Sequence, residues 1–190
     1  MTPLLFATPR REAKAKMPVV RRRRLQWLTL SLALFASMAG MAQTTQDDPD
    51  WTESAVPTAP AFDMSKLLTF SGAVSSSLLY GIDPASISIS RSDSLVRYVL
   101  VATSASGARN VMYEAIRCST GEFKTYARYS PDGRWTNVSN PEWRSVFGNM
   151  PSKHALYLAK AAICDGSAPA TSVDVVVRRL KNPDYRLTTD

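Results

Sequence analysis

The segment from Ser94 to Thr103 constrains the fold more than any other part of the chain, because its pattern is that of a strand with apolar side chains on both faces. Successive side chains of a strand point to opposite faces of the sheet. A strand that is apolar on both faces must be covered on both, so this segment predicts a central strand. One face carries Val96, Tyr98, Leu100 and Ala102, and the other carries Leu95, Arg97, Val99 and Val101.

Further strands follow through short connections. Residues 110–118 alternate after a turn of small residues, residues 122–130 follow through Thr120-Gly121, and Trp135 begins a short fourth strand. Consecutive strands joined by short turns are antiparallel neighbours. The middle of the chain therefore predicts an antiparallel sheet.

A first helix is predicted to begin at Asn140. The asparagine supplies a capping amide, Pro141 stands at the first helical position, and Glu142 lies in the first turn. Val146 and Phe147 continue an apolar stripe that begins with the tryptophan at position 143.

A second helix is predicted to begin at Pro151-Ser152 and to end at Cys164. Leu156, Ala159 and Ile163 recur in it at helical spacing. Short strands are further predicted at residues 67–70, 78–80 and 172–177.

Together these elements predict an α+β protein with a single small domain, whose antiparallel sheet carries two or more helices on one face. The domain is expected to span residues 62–180, with a C-terminal tail at 181–190. Residues 43–61 are polar and contain several prolines, which predicts a flexible linker. We expect its exceptions, Trp51 and Phe62, to pack against the protein's own surface.

The first 42 residues have the pattern of a secretory signal peptide. Arg21–Arg24 precede the apolar run Leu25–Phe35, and small residues end the segment. The pattern predicts cleavage between Ala42 and Gln43, and a periplasmic location for the mature chain.

Two alternatives apply to this leader. Met17 can be the true start, because the segment from Met17 to Ala42 is a complete signal by itself. A retained anchor is the alternative to cleavage, since the 18 residues from Leu25 to Ala42 are close to the shortest span of a bilayer. We expect cleavage and therefore no stable membrane anchor.

The leader also accounts for the net charge of +7. Of 23 basic and 16 acidic residues, eight and one lie in the first 42 positions, which leaves 15 of each sign in the mature chain. A neutral chain has no net basic field to attract a phosphate backbone. We therefore predict no nucleic-acid partner.

Cys118 and Cys164 are the two cysteines of the chain. An exported protein can join such a pair, so we predict a disulfide. Redox catalysis or metal binding is the alternative, but there is no Cys-x-x-Cys motif and His154 is the only histidine. We predict no metal site and no cofactor.

Several segments of the predicted sheet share a specific pattern with a known family. They are Leu95-Val96-Arg97-Tyr98, the run from Ser106 to Cys118, Tyr126-Ala127, Trp135 and Trp143-Arg144. In these segments the chain resembles the cryptic neisserial protein-like family, an uncharacterised group of exported proteobacterial proteins, and Trp51-x-Glu53 fits the family's usual opening. The resemblance implies a periplasmic location and implies no known activity.

Glu114 is the one carboxylate predicted to lie on a covered face of the sheet. If the Cys118 face is buried, Glu114 must find a partner there, and Arg97 or Arg117 is the expected one. His154 is expected to have a surface or capping role, and no catalytic residue is predicted. The candidate binding or buried polar residues are Arg97, Tyr98, Asn110, Tyr113, Glu114 and Arg117.

Two functions are compatible with these features. The first is a non-enzymatic binding or interaction module of the cell envelope, whose partner would be an envelope protein or a small ligand. It predicts an exposed aromatic or apolar patch, with Tyr98, Tyr113 and Trp135 as candidates. The alternative is a small periplasmic hydrolase or transferase that uses Glu114 with an arginine.

Overall fold

An antiparallel sheet positions every other part of the structure. The computed structural model describes residues 50–70 and 76–182. The eight strands of the main sheet in these ranges are β1 (Leu68–Phe70), β2 (Leu78–Ile82), β3 (Ser88–Ile89), β4 (Leu95–Ser104), β5 (Arg109–Arg117), β6 (Glu122–Tyr129), β7 (Trp135–Asn137) and β8 (Arg144–Ser145). Their order is β1-β2-β4-β5-β6-β7, with β3 also beside β4 and β8 also beside β6.

Strands β4 and β5 form the centre of the sheet. They pair antiparallel over their whole length, from Leu95 opposite Arg117 to Thr103 opposite Arg109. Strands β2 and β3 pair with the other edge of β4. The residues of β4 are buried on both faces up to Ala102. The predicted central strand and its antiparallel neighbours are confirmed.

Two helices cover one face of this sheet. Helix α1 (His154–Leu158) continues as a π-helical turn at Ala159–Ile163, and α2 is Val173–Lys181. Their buried residues, among them Leu158 and Val176, belong to the same apolar cluster as the covered face of β4. This confirms the α+β class and the second predicted helix. The remaining elements are the two-stranded ribbon β9 (Cys164–Asp165) and β10 (Ala168–Pro169), and single 3₁₀ turns at Met64–Lys66 and Pro84–Ser86.

The helix predicted to begin at Asn140 is not formed. Residues 140–150 contain β8 and turns, and the backbone N–H of Val146 donates to the carbonyl of Gly121 at 2.9 Å. The expected apolar stripe is divided, because Val146 is buried whereas Phe147 is 66% exposed. Pairing with β6 satisfies backbone groups of this segment and outweighs the local capping pattern.

The strand predicted at residues 172–177 is also wrong, because these residues begin helix α2. The hydroxyl of Ser172 accepts a hydrogen bond from the backbone N–H of Val175 at 3.3 Å, which caps the helix. Val176 and Leu180 lie one turn apart and are both buried in the core. Burial of this apolar face outweighs the β propensity of the valines.

A disulfide joins the helical layer to the sheet. Cys118 directly follows β5 and Cys164 directly follows the π-helical turn, and their Cα atoms are 5.6 Å apart. The predicted pairing is confirmed.

The opposite face of the sheet is covered by residues 51–61, which we call the N-terminal arm. The arm has no helix or strand, yet the ring of Trp51 lies 3.8 Å from the guanidinium carbon of Arg117. The carboxylate of Glu53 accepts a hydrogen bond from the hydroxyl of Tyr126 at 2.6 Å. The described part of the predicted linker therefore lies against the domain, as expected for Trp51.

The predicted leader, the cleavage site between Ala42 and Gln43, and residues 183–190 of the predicted tail lie outside the described residues. Between residues 50 and 182, apart from the undescribed 71–75, no helix has the length and apolar character needed to cross a membrane.

Candidate functional site

Glu114 lies at the centre of the sheet and is fully buried. Its carboxylate accepts hydrogen bonds from three elements. The hydroxyl of Tyr98 on β4 lies at 3.4 Å, that of Thr125 on β6 at 2.9 Å, and Nε2 of His154 on α1 at 2.9 Å. Since a buried carboxylate is tolerated only with such partners, these three side chains explain how Glu114 occupies the core.

His154 is the first residue of α1 and is 5% exposed. While Nε2 faces Glu114, Nδ1 lies 2.7 Å from the hydroxyl oxygen of Ser152. The imidazole stacks on the ring of Tyr80 and meets the edge of Phe123. The expected surface role of His154 is therefore wrong, because the helix directs its first side chain into the sheet.

The hydrogen bonds continue through Ser152, whose hydroxyl lies 3.0 Å from that of Tyr80. With Glu114 as a carboxylate and a neutral imidazole, Nε2 of His154 donates a hydrogen bond to Glu114, and Nδ1 accepts a hydrogen bond from the hydroxyl of Ser152. Burial and the negative charge of Glu114 raise the pKa of Tyr98 well above 10.0, so that its hydroxyl stays a donor. We call Tyr80, Ser152, His154 and Glu114 the hydrogen-bonded chain.

A β-bulge in β6 arranges the side chains around this chain. The register between β5 and β6 shifts beside the buried glutamate, so that Tyr126 and Ala127 both pack on the opposite face of the sheet. As a result, Phe123, Thr125 and Arg128 all line one cavity on the helical face. Bulges commonly redirect side chains next to functional sites.

The hydrogen-bonded chain lines a cavity of about 420 Å³, which we call the Glu114 cavity. Apolar side chains form much of its wall, polar groups form its floor, and three charged side chains and one amide stand at its rim. The wall consists of Leu78, Tyr80, Ala102, Met112, Phe123, Met150 and Pro151, the floor of Glu114, Thr125, Ser152 and His154, and the rim of Asn110, Arg128, Glu142 and Arg144.

The rim carries two exposed guanidinium groups, those of Arg128 and Arg144. Within the described ranges neither forms an ion pair, and Arg128 has only a 3.5 Å contact with the side-chain oxygen of Asn110. The rim carboxylate, Glu142, accepts a hydrogen bond from Asn140 at 3.2 Å. The rim thus has two cationic groups with no carboxylate partner.

The predicted pairing of Glu114 with an arginine is wrong. Arg97 and Arg117 lie on the opposite face of the sheet, because they alternate with the residues that share the Glu114 face. Arg97 pairs with the buried Asp93 at 2.7 Å, and Arg117 lies under Trp51. Burial alone would raise the pKa of Asp93, but hydrogen bonds from Arg97 and from the N-terminal arm hold it well below its ordinary value.

The residues named as candidates for the predicted aromatic or apolar patch do not form one. Tyr98 is 0% and Tyr113 3% exposed, and Trp135 is half-buried against Phe62 of the segment that follows the N-terminal arm. Of the other candidates, Asn110 is exposed and reaches the rim of the Glu114 cavity. The structure therefore brings Tyr98, Asn110 and Glu114 to one face and Arg97, Tyr113 and Arg117 to the other.

The sequence did not indicate three contributors to this site, namely Tyr80, Thr125 and Ser152. The one sequence feature that links two of the site residues is the Ser152-x-His154 spacing. This spacing is too common to identify a site unless the contact between His154 and Glu114 is also known. In the part of the chain that the structure describes, no group of three or more His, Cys, Asp or Glu side chains is placed to hold a metal ion.

The comparison with protein families gave a match over residues 46–181 to the model described as the CNP1-like family. The chain belongs to the CNP1-like family. The match includes the N-terminal arm, the main sheet and both helices, and it confirms the resemblance found in the central strands. The CNP1-like family is uncharacterised, so membership assigns no activity. The comparisons with curated proteins and with solved structures found no match.

Proposed function

We propose that the mature chain is a small-ligand-binding protein of the periplasm and that its ligand occupies the Glu114 cavity. The main support is the composition of this cavity, in which an apolar wall, a polar floor and two guanidinium groups that form no ion pair among the described residues meet within about 420 Å³. Sites for small molecules commonly combine a largely apolar lining with a few placed polar groups at this size.

The periplasmic part of the proposal rests on the leader pattern and on the cysteines. The basic, apolar and small-residue order before Gln43 is that of an export signal. The disulfide between Cys118 and Cys164 suits an oxidising compartment.

The rim carries two guanidinium groups and one carboxylate, that of Glu142, and this excess of positive charge favours an amphipathic anion as the ligand. Arg128 and Arg144 provide charge-assisted donors for a carboxylate or a similar group. Leu78, Met112 and Phe123 provide the apolar surface against which a hydrocarbon part would be buried. We therefore propose a ligand with one anionic group and a short apolar body.

A small ligand is better supported than a protein partner. The large apolar side chains exposed in the described residues are Val56, Leu79 and Phe147. They belong to three separate elements, the N-terminal arm, β2 and the turn after β8, and none of them is a candidate residue of the aromatic or apolar patch that a docking surface was expected to show.

The proposal is tested by calorimetric titration of the mature protein with decanoate, and with decylamine as the cationic probe of the same length. We expect decanoate to bind and decylamine to bind much more weakly. Arg144→Gln should raise the Kd for decanoate about tenfold, because a charge-assisted hydrogen bond is lost. Arg91→Gln is the matched control, since Arg91 is exposed and does not line the cavity.

Equal affinity for the two probes would contradict the anionic ligand. An equal effect of the two substitutions would contradict the location of the ligand at the rim of the Glu114 cavity.

A further inference from the structure

The hydroxyl of Ser152 has a chemical environment that ligand binding does not require. Ser152 is half-buried and borders the Glu114 cavity, and its oxygen lies 2.7 Å from Nδ1 of His154. A histidine nitrogen at this distance can accept the hydroxyl proton while the oxygen forms a bond to carbon.

Glu114 selects the tautomer of His154 in which Nδ1 is free to act as a base. Its carboxylate accepts a hydrogen bond from Nε2–H of the neutral imidazole at 2.9 Å, which leaves Nδ1 as the acceptor for Ser152. Thr125 and Tyr98 donate to the same carboxylate and fix its position. The arrangement is that of a nucleophile, a base and an orienting carboxylate, with the two ring nitrogens exchanged relative to the common serine hydrolases. Either nitrogen of a neutral imidazole can serve as the acceptor.

A role limited to capping α1 does not account for this geometry. The backbone N–H of His154 lies 3.4 Å from the Ser152 oxygen, a long distance for a hydrogen bond. The contact with the imidazole is shorter, and Tyr80 provides a second hydroxyl at 3.0 Å. The stronger hydrogen bonds of Ser152 are therefore made with side chains that line the cavity.

We infer that Ser152 is a nucleophile that accepts the acyl group of small carboxylic esters in the Glu114 cavity. The inference adds a reaction to the proposed binding site, whose cavity it shares. Glu114 acts through His154 and is a positioning residue.

In the first step the Ser152 oxygen bonds to the carbonyl carbon of the ester, and its proton passes to Nδ1 of His154. The bond from that carbon to the alcohol oxygen then breaks, and the alcohol leaves with the proton from His154. In the second step water attacks the acyl-serine through the same base, which releases the carboxylic acid and restores the Ser152 hydroxyl. Arg128 and Arg144 line the same cavity and are the cationic groups available there to the oxyanion that develops.

The test is covalent labelling of the mature, disulfide-bonded protein with an alkyl fluorophosphonate and with 4-nitrophenyl acetate, followed by intact-mass measurement and peptide mapping. We expect one adduct per chain, at Ser152, and none in Ser152→Ala. Ser77→Ala is the matched control, because Ser77 borders the neighbouring cavity and is not hydrogen-bonded to His154. His154→Gln should slow labelling about 100-fold. Thermal unfolding of each variant shows whether it is folded. If His154→Gln does not fold, the inference is tested by the mapped position of the adduct and by the loss of labelling in Ser152→Ala.

A folded wild-type protein that neither probe labels would overturn the inference. So would an adduct at another residue, or equal labelling of Ser152→Ala. If decanoate binds but neither probe labels the protein, this inference is wrong and the proposed function stands. If Ser152 is labelled but decanoate does not bind, the inference stands and the proposed function is wrong.

Discussion

The buried position of Glu114 depends on hydrogen-bond donors from distant segments of the chain. Alternation along β5 predicts that Glu114 faces the core, but it does not identify what pairs with it. The partners come from β4, β6 and α1, and the histidine is 40 positions away. Burial of an unpaired carboxylate costs several kcal/mol, so the three donors are a condition of the fold as well as of the site.

Asp93 makes the stability of the folded protein depend on pH. Its pKa in the folded protein lies below its ordinary value of 3.8, so the folded state binds fewer protons than the unfolded state. Its contribution to stability is therefore present above that ordinary value and is lost as the pH falls through the folded pKa. We expect Asp93→Asn to lower the free energy of unfolding by about 3 kcal/mol near neutral pH, because the buried Arg97 loses its partner.

Urea denaturation of both proteins between about pH 7 and about pH 2 measures this effect. The difference between wild type and variant should shrink toward the acid end. A difference that stays constant over the whole range would contradict the assigned role of Asp93.

At the scale of elements, capping decides where α2 begins. Ser172→Ala removes the hydroxyl that accepts from Val175 and should lower the free energy of unfolding by about 1 kcal/mol. Thr171→Ala is the control, because Thr171 is exposed and precedes the cap, so its substitution should change stability by less than about 0.5 kcal/mol. Equal effects of the two substitutions in urea denaturation would show that Ser172 is not the cap.

The sequence predicted the elements in which local pattern and tertiary packing agree. The strands β4, β5 and β6 alternate in the sequence and are joined by short turns, so their type and pairing were predictable. Residues 172–177 are rich in valine, and only burial of Val176 and Leu180 against the core selects the helix. The bulge at Tyr126, which brings Arg128 to the cavity, depends on pairing between strands and has no local pattern.

The two faces of the sheet divide the molecule into a stabilising side and a candidate binding side. The N-terminal arm covers one face and joins the buried ion pair of Asp93 and Arg97 through Ser54. Helix α1 covers part of the other face, where the Glu114 cavity lies. Sequence alternation separates these faces, but only the structure shows which polar groups each face brings together.

The disulfide and the leader make two predictions for the whole chain. Intact-mass measurement on a periplasmic extract should give a chain that begins at Gln43 and lacks two hydrogens, because Cys118 and Cys164 are joined. Replacing both cysteines by serine should lower the free energy of unfolding by about 4 kcal/mol, since the bond closes a long loop of the unfolded chain. A mature chain that retains Arg21–Arg24 would contradict the proposed export and cleavage.

The methionines of the mature chain can report whether a small amphipathic anion binds in the Glu114 cavity. Met112 and Met150 line the cavity, whereas Met64 packs on the opposite face of the sheet. The measurement is a titration of ¹³C-methyl-methionine-labelled mature protein with decanoate, followed by NMR. We expect the methyl signals of Met112 and Met150 to shift together to saturation while that of Met64 stays in place. A shift of Met64 alone, or no shift of Met112 and Met150 at saturating decanoate, would contradict it.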